Sequence, residues 1–229
     1  MNYIENIYLC LAAPIIVAIF CVRSFPRRSL GFILSGMTAC LFSSYISTFF
    51  AQMTGATPLE ASLEISPLIE EALKLTPVAF YVMVYEPKRN DAASEALMVA
   101  VGFATLENAS FLLSSGADNT LHLMIRGFST GAMHVACGAI TAVVLRGLWD
   151  TLYFRIIATL GVLCLSVTCH GIYNILVNQP NAAAWVGYML PLLIGAGAII
   201  ARKKLYGGAP EYGPPREGLR GIQSTKEEQ

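Results

Sequence analysis

Apolar residues in this chain come in long blocks, not in the short periodic stripes of surface helices or the alternation of half-buried strands. About twenty apolar residues in helical form cross a bilayer core. By that measure about seven segments qualify: roughly 5–22, 29–50, 66–85, 92–114, 121–146, 154–177 and 183–201. The loops test this count. Arg23, Arg27 and Arg28 separate the first two segments, whereas 51–65 holds Glu60 and Glu64 and no Lys or Arg. Lys88 and Arg89 come next, then Asp118 alone, then Arg146 and Arg155, then an uncharged Asn178–Asn181, and finally Arg202, Lys203 and Lys204. Basic and non-basic loops alternate without exception. Positive-inside asymmetry then predicts an outside N-terminus and a cytoplasmic C-terminus.

Loop 51–65 carries its own signals. Thr57-Pro58-Leu59-Glu60 matches a capping box with proline at the first helical position, so a short helix is expected at the outer interface. Ser66-Pro67 reads as the N-cap and first residue of the third span. That start would put Glu70 and Glu71 near the positive end of a helix dipole. Pro77 removes a backbone donor one turn beyond Lys74 and predicts a kink.

Composition agrees with the pattern. The 229 residues are 55% hydrophobic and 13% charged, against about 25% charged in soluble domains. The formal net charge is zero and no basic patch points to nucleic acid. Six cysteines fall in apolar stretches and form neither a CxxC pair nor a disulfide framework. The first apolar run lacks a basic leader and a small-residue cleavage site, so it reads as a retained helix. The expected fold is all-α: a polytopic membrane protein of about seven helices with an intramembrane polar site. One helical bundle is expected over 1–204, with a flexible cytoplasmic tail over 205–229, rich in Gly and Pro.

The polar interruptions suggest chemistry. Each charge at mid-bilayer costs about 2.5–3.5 kcal/mol on insertion scales, yet the third segment holds Glu70, Glu71 and Lys74. Helical spacing lets Lys74 pair with either glutamate, leaving one carboxylate free. The fourth segment adds Glu107-Asn108, the fifth Arg126 and His134, the sixth His170 and Asn174. Counting from the outer ends places Glu70, Glu71, Glu107 and His170 at roughly 6–11 Å depth. His134 falls at roughly 20 Å and joins them only if its helix tilts or starts later.

Plainer readings stand beside this one. Glu71–Lys74 can be a structural ion pair, and a lone histidine in a bundle is usually a hydrogen-bonded core residue. Gly127-x-x-x-Gly131 reads as helix packing, Cys137 as buried filler, His122 as a solvated interface residue and Glu95 as an interfacial charge. If the residues meet, a glutamate beside imidazoles can activate water. Alternatively, two histidines and a glutamate form a three-ligand zinc set with an open position. Asn174 or Arg126 could stabilise an oxyanion. Buried Glu, His and Arg also mark ion pathways, so a proton- or cation-coupled transporter is an alternative. No HExxH or GxSxG occurs.

The ordered set Glu70-Glu71-Ala-Leu-Lys74, Gly102-Phe-Ala-Thr-Leu-Glu107-Asn108, an isolated His134 and His170-Gly-Ile-Tyr-Asn174 resembles the PrsW family of membrane proteases. The likeness runs from about 66 to 177. It implies kinship with the CAAX prenyl endopeptidases, which carry EExxxR where this chain has EExxK. It further implies proteolysis in or beside the membrane, near its extracytoplasmic face, with single-span, anti-sigma-factor-like proteins as substrates. A non-catalytic member that binds membrane proteins would share the same residues. By position, Glu70 or Glu71 would be the water-activating base, and Glu107, His134 and His170 partners or zinc ligands. Asn174 would be an oxyanion donor, with Lys74 and Arg126 as structural partners. The resemblance is compatible with a zinc-dependent mechanism or with glutamate-activated water alone.

Overall fold

Every apolar block is helical. The computed structural model describes residues 4–21, 25–87, 89–115, 120–147, 152–180 and 182–206. Its elements are α1 (Ile4–Cys21), α2 (Phe25–Thr54), α3 (Pro58–Glu60), a π-helical turn (Ala61–Ile65), α4 (Ser66–Tyr85), α5 (Arg89–Ser115), α6 (Thr120–Gly147), α7 (Leu152–Val177) and α8 (Ala182–Tyr206). No strand occurs among the described residues. Each long helix coincides with one expected segment to within a few residues. Arg23, Lys88, Asp118 and the expected tail from residue 207 onward lie outside the described residues. Two compact units divide the chain, Met1–Gly195 and Ala196–Gln229. In the second, the described residues 196–206 are helical.

Among the described residues, five helices (α1, α2, α5, α6 and α7) are long and apolar enough to cross a membrane. The protein is therefore a multi-pass, all-helical membrane protein. Helix α4 has the length, 20 residues, but carries Glu70, Glu71 and Lys74. The apolar part of α8, Ala182–Ile194, is shorter than a span. Large apolar side chains point outward, among them Phe20, Phe80, Val143 and Leu193, each more than 60% exposed. Such a surface suits lipid and would be costly in water.

Close packing at α5 sets the frame. Helices α2 and α5 run parallel: Arg28 meets Glu95, Gly36 abuts Val99 and Phe103, and Gly102 abuts Ile33. A Cβ at Gly36 would lie 2.0 Å from the Val99 carbonyl oxygen, and one at Gly102 would lie 1.9 Å from that of Ile33. Only glycine permits this approach. Helices α5 and α6 run antiparallel, with Asn108 opposite Gly127 and Ala100 opposite Gly138. The Gly127–Gly131 pair is a packing feature, as expected, and faces the Asn108 amide.

The loop before α4 departs from expectation. The capping box forms: the Glu60 N–H donates to Thr57 Oγ1, and the Thr57 N–H donates to Glu60 Oε2. Those bonds from the Thr57 N–H and hydroxyl hold the Glu60 carboxyl below its ordinary pKa. Ser66 is not an N-cap, however. Its N–H donates to the Ala61 carbonyl, so helical structure is continuous from Pro58 to Tyr85. Pro67 inside a continuous helix lacks a donor and crowds the carbonyl four residues back, and the π-helical turn absorbs that conflict. Glu70 and Glu71 thus lie about three turns from the helix start, too far for the dipole to favour them. Helix α4 also continues through Pro77 without interruption.

Gly102→Val should force α2 and α5 apart and lower stability by about 1–3 kcal/mol. Gly31→Ala, where a Cβ meets nothing within 4 Å, should leave the thermal unfolding midpoint in detergent unchanged. Equal effects would refute the tight approach.

Candidate active site

Helix α4 brings two ions into the interior on adjacent turns. Lys74 Nζ lies 2.6 Å from Glu71 Oε1, and both side chains are buried. Taking each ion out of water costs several kcal/mol unless further partners complete its shell. Histidines supply them. His134 Nδ1, on α6, is 2.8 Å from Lys74 Nζ, and His170 Nδ1, on α7, is 2.8 Å from Glu71 Oε1. The chain continues from His134 Nε2 to Glu107 Oε2 on α5, at 2.5 Å. Glu107 Oε1 lies 3.7 Å from Arg126, whose guanidinium stacks on Phe111 and donates to Asn108 Oδ1. The two imidazole rings stand edge to face, 5.1 Å apart. Phe103 closes one side, with its ring 4.9 Å from Lys74 Nζ and from the His134 ring.

The predicted depth mismatch of His134 does not keep it away. Helix α6 starts at Thr120, so it begins no later than expected. A helical side chain leans toward its own N-terminus. On antiparallel α5 and α6, Glu107 and His134 therefore lean toward each other and close an offset of about one turn.

Glu70 differs from its neighbour. Its Oε2 is buried, has no hydrogen-bond partner and lies 3.7 Å from His170 Nε2. Ligand atoms of Glu70, His134 and His170 lie within 4.8 Å of one another. A carboxylate with an orphaned oxygen and two imidazoles is a donor set that fits a divalent metal such as zinc. Glu107, expected in that set, is instead bonded to His134. Glu71 holds the far nitrogen of His170, the outer-shell arrangement that orients a ligating imidazole.

Asn174 stands apart from the glutamates. Its Nδ2 donates to the Ser62 carbonyl at 2.8 Å, clamping α7 to the π-helical turn. Cys137 is buried filler against Met133 and the Ser166 carbonyl. His122 is exposed, with its ring against Tyr188. Glu95, expected as an interfacial charge, is fully buried against α2 and accepts from Arg28 Nε at 2.7 Å and from Ser29 at 3.4 Å. Arg28, expected in the loop before the second segment but lying at the start of α2, was the available signal. Phe103, four residues before Glu107 and on the same face, could likewise have been read from spacing.

Two cavities adjoin the cluster. One of about 20 Å³, lined by Glu71, Lys74, Thr141 and Ser166, has room for one water. The other, about 630 Å³ and open, is bordered by α2, the 58–66 segment, α5 and Arg126, and is lined by Glu70 and Glu107 but not by Glu71.

A multi-pass helical frame that gathers carboxylates and imidazoles beside an open cleft is the form of a membrane-embedded hydrolase. The family model for PrsW family intramembrane metalloprotease matches residues 15–197, and the chain belongs to that family, a family of peptidases. No curated protein and no solved structure matches it.

Removing one partner of the buried pair should cost far more than removing both. Lys74→Met should destabilise by about 3–5 kcal/mol, and Glu71→Leu with Lys74→Met should recover part of that loss. Chemical unfolding in micelles reads both, and a double variant no more stable than Lys74→Met would contradict the pairing.

Proposed function

We propose that the protein is an endopeptidase that cuts single-span membrane proteins, of the anti-sigma-factor-like kind, near the extracytoplasmic face. The topology that goes with this reading is seven spans in one bundle over 1–204, with α4 and α8 as the two polar or short ones. The N-terminus is outside, the C-terminus and tail are cytoplasmic, and the polar cluster sits in the outer half of the bilayer. Loop charge supports that orientation. A charged α4 is tolerable as a span because Glu71 and Lys74 face the bundle interior and each other.

The single observation that carries the chemistry is the unpartnered Glu70 oxygen beside two imidazoles and an open cleft. Glu70, His134 and His170 would hold a zinc ion. Bound there, it would supply Lewis acidity and a water acidified toward neutral pH. The chain's own residues divide the remaining tasks. Glu71 accepts from His170 Nδ1, fixes that tautomer and directs Nε2 toward Glu70. His134 accepts from Lys74 at Nδ1 and donates Nε2–H to Glu107, so it would join the set through Nδ1, exchanging the contact with Lys74 for the ion and keeping its proton on Nε2. Glu107, which lines the cleft, would use its other oxygen to take a proton from the attacking water and return it to the leaving amine. Arg126 steadies the charge on Glu107 and faces the same cleft, which favours it over Asn174 as the group nearest a developing oxyanion. Lys74 holds Glu71 in place throughout and holds His134 before an ion binds.

In proteoliposomes with a tagged single-span substrate, Glu107→Gln, His134→Ala and His170→Ala should each slow cleavage at least about 100-fold. Glu60→Gln, in the capping box, should cut at close to the normal rate. Metal analysis should find one zinc per chain, lost in His170→Ala. Full activity in His134→Ala would overturn the site, and an active, zinc-free enzyme would overturn the metal assignment.

A further inference from the structure

Beside the imidazole pair, α6 and α7 are joined by a hydrogen bond to which no role has yet been given. Tyr173 on α7 and Thr130 on α6 are both buried, and their hydroxyls lie 2.8 Å apart. The Tyr173 ring packs against Met133 and Cys137, which flank His134 on α6. On the other side of the histidines, Cys137 Sγ reaches the Ser166 carbonyl at 3.7 Å. Contacts therefore step along the two antiparallel helices in one register: Thr130 with Tyr173, His134 with His170, Cys137 with Ser166. The imidazoles themselves meet only edge to face, with every ring nitrogen turned to a side chain of α4 or α5. A thiol is a weak donor, so the tyrosine–threonine bond is the strong polar fastening in this register.

That fastening bears on the spacing of the two imidazoles. Ligand atoms of Glu70, His134 and His170 lie within 4.8 Å of one another. Tetrahedral zinc, with ligand bonds of about 2.0–2.2 Å, holds neighbouring donor atoms roughly 3.3–3.5 Å apart, so the set has little room to spread. A slide or roll of α7 against α6 would change the spacing of His134 and His170 directly. The bond lies one turn away on each helix: Thr130 is four residues before His134, and Tyr173 is three after His170. Glu71 orients the His170 ring, but it belongs to α4 and does not set how far α7 stands along α6. We propose that Tyr173 is a positioning residue for the metal site: its hydroxyl, bonded to Thr130, holds α7 in the register on α6 that spaces the two imidazoles for one ion. The proposal rests on the zinc reading of the cluster.

Chelator competition on the purified full chain in detergent reads zinc affinity apart from cleavage. Tyr173→Phe, which keeps the ring, should weaken zinc binding about tenfold, the low end for partners that orient metal ligands. Thr130→Val should weaken it by a similar factor, and the two together by no more than the larger single effect, because both remove one bond. Thr130→Ser, which keeps the hydroxyl, should bind zinc as tightly as wild type. Tyr8→Phe is the control: it breaks a bond of the same kind, between Tyr8 and Thr38 at 2.9 Å, that joins α1 to α2. It should leave zinc affinity unchanged. Equal losses in Tyr173→Phe and Tyr8→Phe would mark a general effect of stability and overturn the proposal, as would losses that multiply in the Tyr173–Thr130 double variant. A wild type that takes up no zinc would sink the metal reading and this proposal together, whereas a zinc-binding wild type matched by Tyr173→Phe would sink this proposal alone.

Discussion

The buried Glu71–Lys74 pair is the constraint on which the rest of the structure depends. Neither ion could sit among apolar helices alone, and the attraction between them does not by itself offset the loss of water. Each therefore recruits an imidazole from another helix: Lys74 takes His134 from α6, and Glu71 takes His170 from α7. His134 in turn reaches Glu107 on α5. One ion pair on α4 thus ties four helices together through side chains that are 27 to 99 residues apart in sequence. The same bonds that make the pair tolerable hold both imidazoles near Glu70, with ligand atoms within 4.8 Å of one another, and Glu70 keeps one oxygen unpartnered.

The backbone frame serves that network in two ways. At one end, glycines at 36 and 102 let α2 and α5 touch. Further along, the same helices line the cleft with small hydroxylated residues, so Glu70 and Glu107 border the open cleft while Glu71 and Lys74 stay enclosed. The π-helical turn at 61–65 joins the capped start at Thr57 to α4, and Asn174 holds that turn against α7. The position of Glu70 is fixed from both directions: by the helix it begins in and by the helix that carries His170.

Much of this was legible in the sequence, for a physical reason. A charge within an apolar block is so costly that it announces a partner, and Glu70, Glu71, Lys74, Glu107, His134 and His170 all announced themselves in that way. Helix existence and limits followed from block length alone. The pairings did not follow, because they depend on how each helix is rotated and on the N-terminal lean of its side chains, which close the gap that a residue count left at His134. Glu95 looked interfacial since it stands near the end of its block; only the parallel contact of α2 with α5 reveals Arg28 beside it. Ser66 looked like a cap because Ser-Pro usually is one, and the intervening π-helical turn has no sequence signature. Thr130 gave no signal at all: a hydroxyl in an apolar helix normally bonds its own backbone, and only the fold shows that this one meets Tyr173 on another helix.

The central claim is that Lys74 and His134, sixty residues apart in sequence, are joined in the interior. A double-mutant cycle on unfolding free energy in micelles, using Lys74→Met and His134→Ala, tests it without relying on activity. The account predicts a coupling of about 0.5–3 kcal/mol, the range for residues in one hydrogen-bonded network. Effects that add to within about 0.3 kcal/mol, the behaviour of distant and independent sites, would contradict it.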